Sequence, residues 1–150
     1  MPELITPSFV DLDLAVPDRA AATRRLAELL AGGGRVVDLD AFLADVRARE
    51  AQMPTGIEGG IGIPHARSAH VTAPSLAFGR SPAGVDFGAE DGPADLIFLI
   101  AAPEGGDADH MTVLASLARR LIHASFREAL RTATDAESVV DLVRREVQGK

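Results

Sequence analysis

The residue in this chain best suited to chemistry is an imidazole placed directly after a proline. His65 follows the apolar run Gly60-Ile61-Gly62-Ile63-Pro64 and is one of four histidines in 150 residues. Histidine's ordinary pKa is about 6.5, so near neutral pH its ring offers a lone pair as nucleophile, base or ligand. Proline lacks an amide hydrogen and restricts the residue before it, so a strand reaching Ile63-Pro64 is expected to stop its ladder there and leave His65 at a strand end. Strand ends and their loops are where α/β sheets build sites. Thr55, Gly56, Gly59, Gly60 and Gly62 cluster just upstream, and glycine lets backbone approach a bulky group held beside the ring. The same glycines also suit turns and bulges, and a lone histidine here also fits a residue that merely tolerates a turn.

Other chemistry is narrowed by what is missing. With no Cys, thiolate nucleophiles, thiolate metal sites and disulfides are all excluded. There is no G-x-x-x-x-G-K-[ST] phosphate loop, Gly60-x-Gly62 lacks the third glycine of a dinucleotide fingerprint, and no G-x-S-x-G elbow occurs. A metal site built from His65, His70 and His110 with Asp107 or Asp109 stays open by residue type alone. The five-residue offset between His65 and His70 counts against it, because a continuing strand would point them to opposite faces.

The elements that must position these residues are legible in the apolar spacing. Phe9 to Leu14 (FVDLDL) alternates, predicting a strand with Val10, Leu12 and Leu14 inward and Asp11 and Asp13 outward. Pro17 and Asp18 open a helix striped by Ala22, Leu26, Leu29 and Leu30 and closed by Gly32 to Gly34. A second helix starts near Asp40, buries Phe42, Leu43 and Val46, and ends before Pro54. Short apolar segments follow at Ile61 to Ile63, Ser75 to Gly79 and Leu96 to Ala102 (LIFLIAA), the last continuous enough for a strand buried on both faces. Met111, Leu114, Leu117, Ala118 and Leu121 then form a helical stripe, and Phe126 and Leu130 a second. Thr134 with Glu137 predicts a capping box before Val139, Val140, Val143 and Val147. Helices before and after a group of strands imply an α/β sandwich, a mixed central sheet covered on both faces, in one domain over residues 1–150. Only Gln148 to Lys150 reads as linker.

Composition bounds the partners. A formal charge of −7 argues against a nucleic-acid binder, which needs clustered basic surface. The LIFLIAA run falls far short of the roughly 20 residues that span a bilayer, and the N-terminus has no basic region followed by an apolar stretch. The cytoplasm is the expected compartment.

Arg49-Glu50, Thr55-Gly56-Ile57, Gly60 to Ala66, Val85-Asp86-Phe87-Gly88, Leu96 to Pro103 and His110 at a helix start together form a pattern that resembles the enzyme IIA domain of the phosphoenolpyruvate-dependent sugar phosphotransferase system, most closely its fructose and mannitol branch. The resemblance covers nearly the whole chain. It implies a phosphotransferase in which His65 accepts a phosphoryl group from the small phosphocarrier HPr and passes it to a cysteine of a IIB domain, possibly on a IIBC membrane component, with no cofactor. It matches His110 to the family's second active-site histidine, where the orphan amides of a helix start favour an anion. Arg49 aligns with a family arginine near the site, and a guanidinium fork suits phosphate oxygens; equally, Arg49 could be a solvated residue paired with Asp45 one turn away. His70 and His123 fall outside the pattern and read as structural or surface residues. The chain departs from many relatives at Glu58 and Gly59, which is expected to bring a carboxylate close to the phosphate position. Two alternatives accompany this reading: a regulatory nitrogen-type IIA protein that moves no sugar, and a metal-dependent hydrolase using His65 and His110.

Overall fold

Asp18 and Asp38 each start a helix by the same device, a carboxylate accepting the amide three residues on. Asp18 accepts from Ala21 at 2.8 Å and opens α1 (Arg19–Gly32). Asp38 accepts from Ala41 at 3.1 Å and opens α2 (Leu39–Gln52). Gly33 caps α1 and Gly34, at φ 77°, turns the chain out of it. The structure, a computed structural model, describes residues 3–104 and 109–147, without the side chains of 109–111, 113 and 114.

The strands are β1 (Val10–Asp11), β2 (Gly56–Ile57), β3 (Ile61–Gly62), β4 (His65–Ser68), β5 (Ser75–Val85) and β6 (Ala94–Pro103). They form one mixed sheet in the order β1-β5-β6-β3-β2, with β4 also paired to β6. The pairs β1–β5, β3–β6 and β4–β6 are parallel, whereas β5–β6 and β2–β3 are antiparallel. Three helices complete the chain, α3 (Asp109–Leu121), α4 (Ala124–Thr132) and α5 (Ala136–Val147).

Successive residues of β5 show which helices cover which face, because neighbours on a strand point oppositely. A side-chain carbon at Gly79 would meet Leu26 of α1, so that face lies against α1. The next residue, Arg80, donates from Nη1 to the carbonyls of Leu130, Arg131 and Ala133 at 3.0, 3.1 and 2.7 Å, closing the C-terminal end of α4 on the other face. Between the layers β6 is buried from Leu96 to Ala102, and Phe78 packs on its cross-strand partner Phe98 with ring centroids 4.8 Å apart. The expected α/β sandwich is therefore the observed architecture.

Three local expectations change. The FVDLDL segment is a strand only at Val10 and Asp11, because Pro7–Phe9 form a 3-10 turn and Asp11 Oδ1 folds forward to accept the amide of Asp13 at 3.0 Å. Asp135 replaces Thr134 as the cap of α5: its Oδ1 accepts from Ser138 N at 2.8 Å, so the helix starts one residue later than a Thr134–Glu137 box requires. The short pieces β2 and β4 carry too few apolar residues to be read as strands from periodicity.

Hydrogen bonds from the side chain and then the backbone amide of Ser138 hold the Asp135 carboxyl below its ordinary value of 3.8. A carboxyl depressed on folding contributes stability above its ordinary value and loses it as pH falls through the folded one. Asp135→Ala should therefore melt at a lower temperature than wild type at pH 7, with the gap closing in thermal scans taken progressively below pH 4.

Candidate active site

The strand that carries His65 does not stop at Pro64. Ile61 pairs with Leu96 and Ser68 pairs with Pro103, 35 residues apart in both cases, so β3 and β4 run along β6 in one uninterrupted register. Pro64 has no amide to give, but its carbonyl accepts from Ile100 N at 3.0 Å and keeps the ladder on the β6 side. What ends is the neighbour on the outer side. Ile63 N donates to Thr55 O at 3.1 Å, after which β2 no longer flanks the strand and β4 pairs with β6 alone. His65 is thus the first residue of an edge strand within the sheet, and the expectation of a strand terminus is corrected.

Register also fixes the direction of the ring. His65 lies opposite Ile100, which pairs with Leu76, and Leu76 shares a face with Arg80. The imidazole accordingly faces the layer of α3 to α5, and it is half-buried. Its Nδ1 lies 2.8 Å from the carbonyl oxygen of Ile63. A carbonyl can only accept, so Nδ1 must hold the proton and the lone pair of the neutral ring falls on Nε2.

A second set of bonds holds the approach to this turn. Glu50, in the last turn of α2, accepts from Thr55 N at 2.9 Å and from Thr55 Oγ1 at 2.7 Å, while Arg19 of α1 donates to it at 3.2 Å. Thr55 in turn gives its carbonyl to Ile63, the residue that orients His65. Glu50 stands in the sequence pattern, but a carboxylate one helical turn before a proline gives no signal of what it will accept.

The glycines make room for the chain itself. A side-chain carbon at Gly56 would lie 2.7 Å from Ala89 N and Phe87 O, and one at Gly62 would lie 2.7 Å from the Phe87 ring. Gly59 and Gly60, at φ 100° and 79°, form the β2–β3 turn, a conformation that side-chained residues rarely adopt. Arg131 clasps that turn: it donates to Gly59 O and, through Nε and Nη2, to both carboxylate oxygens of Asp95 at 2.8 and 2.9 Å, a bidentate pair that raises its pKa.

The remaining candidates are placed as follows. Arg49 lies in the last turn of α2, on the opposite layer from the ring, where Nη1 makes a long 3.5 Å contact to Met53 O. Asp45 accepts from Ser68 Oγ at 2.6 Å and so ties α2 to β4. His110 falls in the first turn of α3, on the face that His65 addresses, and its side chain lies outside the described residues. Glu58 is at the tip of the β2–β3 turn, roughly 13 Å of strand from His65 at ~3.3 Å per residue. It lines a cavity of about 710 Å³ with Glu90 and Asp91, so the expected carboxylate beside the phosphate position is not there. His70 follows β4 in a turn, and His123 precedes α4 as its cap. Among the described residues no three His, Asp or Glu side chains gather to hold a metal; Asp107, Asp109 and His110 fall outside that set. Arg67 was missed in the sequence: two residues past His65 in β4, it projects from the same face and is exposed.

The family described as phosphoenolpyruvate-dependent sugar phosphotransferase system, EIIA 2, matches residues 3–146. A fructose-specific EIIA component of Haloferax volcanii is 39% identical over 96% of this chain and 95% of its own length. The crystal structure of the nitrogen regulatory protein IIA-Ntr from Neisseria meningitidis superposes with a TM-score of 0.86 at 32% identity, over 93% of this chain and 96% of that one. The mannitol enzyme IIA of Escherichia coli, solved in complex with its phosphorylated enzyme IIB, superposes with a TM-score of 0.78 at 26% identity, over 98% of this chain and 100% of that one.

Two substitutions test the supports of the site. Glu50→Ala removes the acceptor of both Thr55 bonds and should lower stability by about 1–3 kcal/mol in urea titration, the usual cost of stranding part-buried donors. Gly34 and Gly60 have nearly equal positive φ, but a carbon at Gly34 meets open space whereas one at Gly60 meets Asp95 and Arg131 at 2.5 and 2.8 Å. Gly60→Ala should therefore destabilise by at least about 1 kcal/mol more than Gly34→Ala in the same assay.

Proposed function

Since the chain belongs to the phosphoenolpyruvate-dependent sugar phosphotransferase system EIIA 2 family, we propose that Nε2 of His65 is its phosphoryl acceptor, charged by HPr and discharged to the cysteine of a IIB domain during uptake of a sugar, fructose in the first instance. The observation that carries this reading is the 2.8 Å contact between His65 Nδ1 and Ile63 O, which leaves the lone pair on the ring nitrogen that does not face the backbone.

In the loading step the Nε2 lone pair attacks phosphorus, the bond from phosphorus to the donor's histidine nitrogen breaks, and the donor ring keeps the electron pair. The proton on Nδ1 stays where it is. The positive charge that the new N–P bond places on the ring is shared with the Ile63 carbonyl, which is already positioned to accept from it, so no group has to reorganise. In the unloading step a IIB thiolate takes the phosphoryl group and the ring returns to its neutral form. Because transfer of this kind is mostly positioning and charge stabilisation, the residues required are few: His65, then His110 at the start of α3 for the phosphoryl oxygens, with Arg49 a further contact only by swinging its side chain from the opposite layer round the open edge. An edge strand suits two protein partners in succession, since no neighbouring strand stands between the ring and either one. No described helix is long and apolar enough to cross a membrane; a cytoplasmic reaction is part of the proposal, as the compartment of the donor it invokes.

The fructose assignment is supported by the Haloferax relative and the IIB acceptor by the mannitol complex. The Neisseria structure supports a second reading, a nitrogen-type regulator whose phosphorylation controls binding to target proteins. Onward transfer to a fructose IIB domain separates the two.

Incubation with phosphoenolpyruvate, enzyme I and HPr should label wild type and leave His65→Ala unlabelled, with His110→Ala labelled but slower to pass the group on. Phosphorus–proton correlation NMR of the labelled protein should place the phosphoryl group on Nε2. Label retained by His65→Ala, or attachment at Nδ1, contradicts the assignment.

A further inference from the structure

The two helices on the face away from His65 pack against each other along only part of their length. Ala20 on α1 and Ala51 on α2 leave a groove of about 630 Å³ whose floor is Leu43 and Val46, both buried. Such a volume is in the range that holds a small organic molecule.

A hydroxyl and an unpaired charge face it. Thr23 lines the groove and is 7% exposed, so its side chain is a polar group that a ligand oxygen in the groove can reach. Arg47, on the α2 wall, has neither an ion pair nor a hydrogen bond among the described residues. The other two arginines are only partly neutralised. Arg19 is held by Glu50 at 3.2 Å, and Arg24 stands 3.6 Å from Glu28 and from Asp40. In a chain of formal charge −7, this is a positive rim around an apolar floor.

We propose that the α1–α2 groove binds an amphipathic organic carboxylate, its head group on Arg47 and Arg24, its hydrocarbon body on Leu43 and Val46, and an oxygen within reach of Thr23. A single carboxylate matches one free guanidinium, and the apolar floor excludes a fully hydrated anion. The groove lies on the layer opposite the imidazole, so the proposal does not rest on the phosphocarrier reading.

The probe is decanoate, titrated into the full chain and followed by amide NMR. Saturable shifts confined to α1 and α2 are expected, weakened at least about fivefold in Arg47→Met, a difference of about 1 kcal/mol, and abolished in Ala20→Phe, whose ring fills the groove. Both positions are exposed, and the melting temperatures of the variants report their folding. Decyltrimethylammonium, with the same tail and the opposite charge, should not bind. No saturation by about 5 mM decanoate, a weaker affinity than a specific site provides, overturns the proposal; so does equal binding of the cationic probe, undiminished binding by Arg47→Met, or shifts centred on the β2–β3 turn.

Discussion

A hydrogen bond from a ring nitrogen to the carbonyl two residues behind it is the constraint from which the account of this protein follows. It decides which nitrogen of His65 carries the proton, and thereby which can attack. It holds the ring against its own strand, so a nucleophile is presented with its rotamer already chosen. Pro64 is compatible with the sheet because the one donor it lacks is on the β6 side, where its carbonyl still bonds Ile100 and holds the register. The edge on the other side opens because β2 ends there.

The rest of the fold keeps that edge where it is. β6, buried on both faces, is the rail for β3 and β4, and β4 cannot slip along it by one residue without turning exposed Arg67 inward and buried Ala66 and Ser68 outward. Glu50 fixes Thr55, Thr55 fixes Ile63, and Ile63 fixes the imidazole, a chain of bonds that begins in the α1–α2 layer and ends on the opposite face. At the other end of β3, Arg131 joins the glycine turn to Asp95 at the start of β6. These groups touch no reacting atom. Their contribution is that the acceptor is rigid before a partner arrives, which is where catalysis of phosphoryl transfer mainly lies.

Much of this was readable from residue types and spacing, for definite reasons. Helices with a strong start signal and an apolar stripe, such as the one from Asp18 through Leu30, are local in their causes and appear as expected. The buried strand at Leu96 to Ala102 was legible because a run apolar on both faces has few other uses. The role of Pro64 was not, since the strand survives the loss of one amide through the carbonyl bond to Ile100, and the open edge depends on where β2 stops, a long-range fact. The glycine cluster was misleading because its cause is not local: the groups crowding Gly56 and Gly62 come from Phe87 and Ala89, 25 to 33 positions away. Glu58 was expected near the phosphate position from its place in the family pattern, but a hairpin carries it to the far end of the strand. Asp135 took the cap expected of Thr134 because two adjacent residues were both good caps and only the geometry chooses.

The central claim concerns one proton, and it can be observed before any phosphate is present. Long-range nitrogen–proton correlation spectra of the unmodified protein above pH 7.5 report the tautomer of each imidazole directly. His65 should show a protonated Nδ1 and a bare, acceptor-type Nε2. A proton found on Nε2, or a ring exchanging freely between the two forms, would mean that the backbone does not choose the nucleophile.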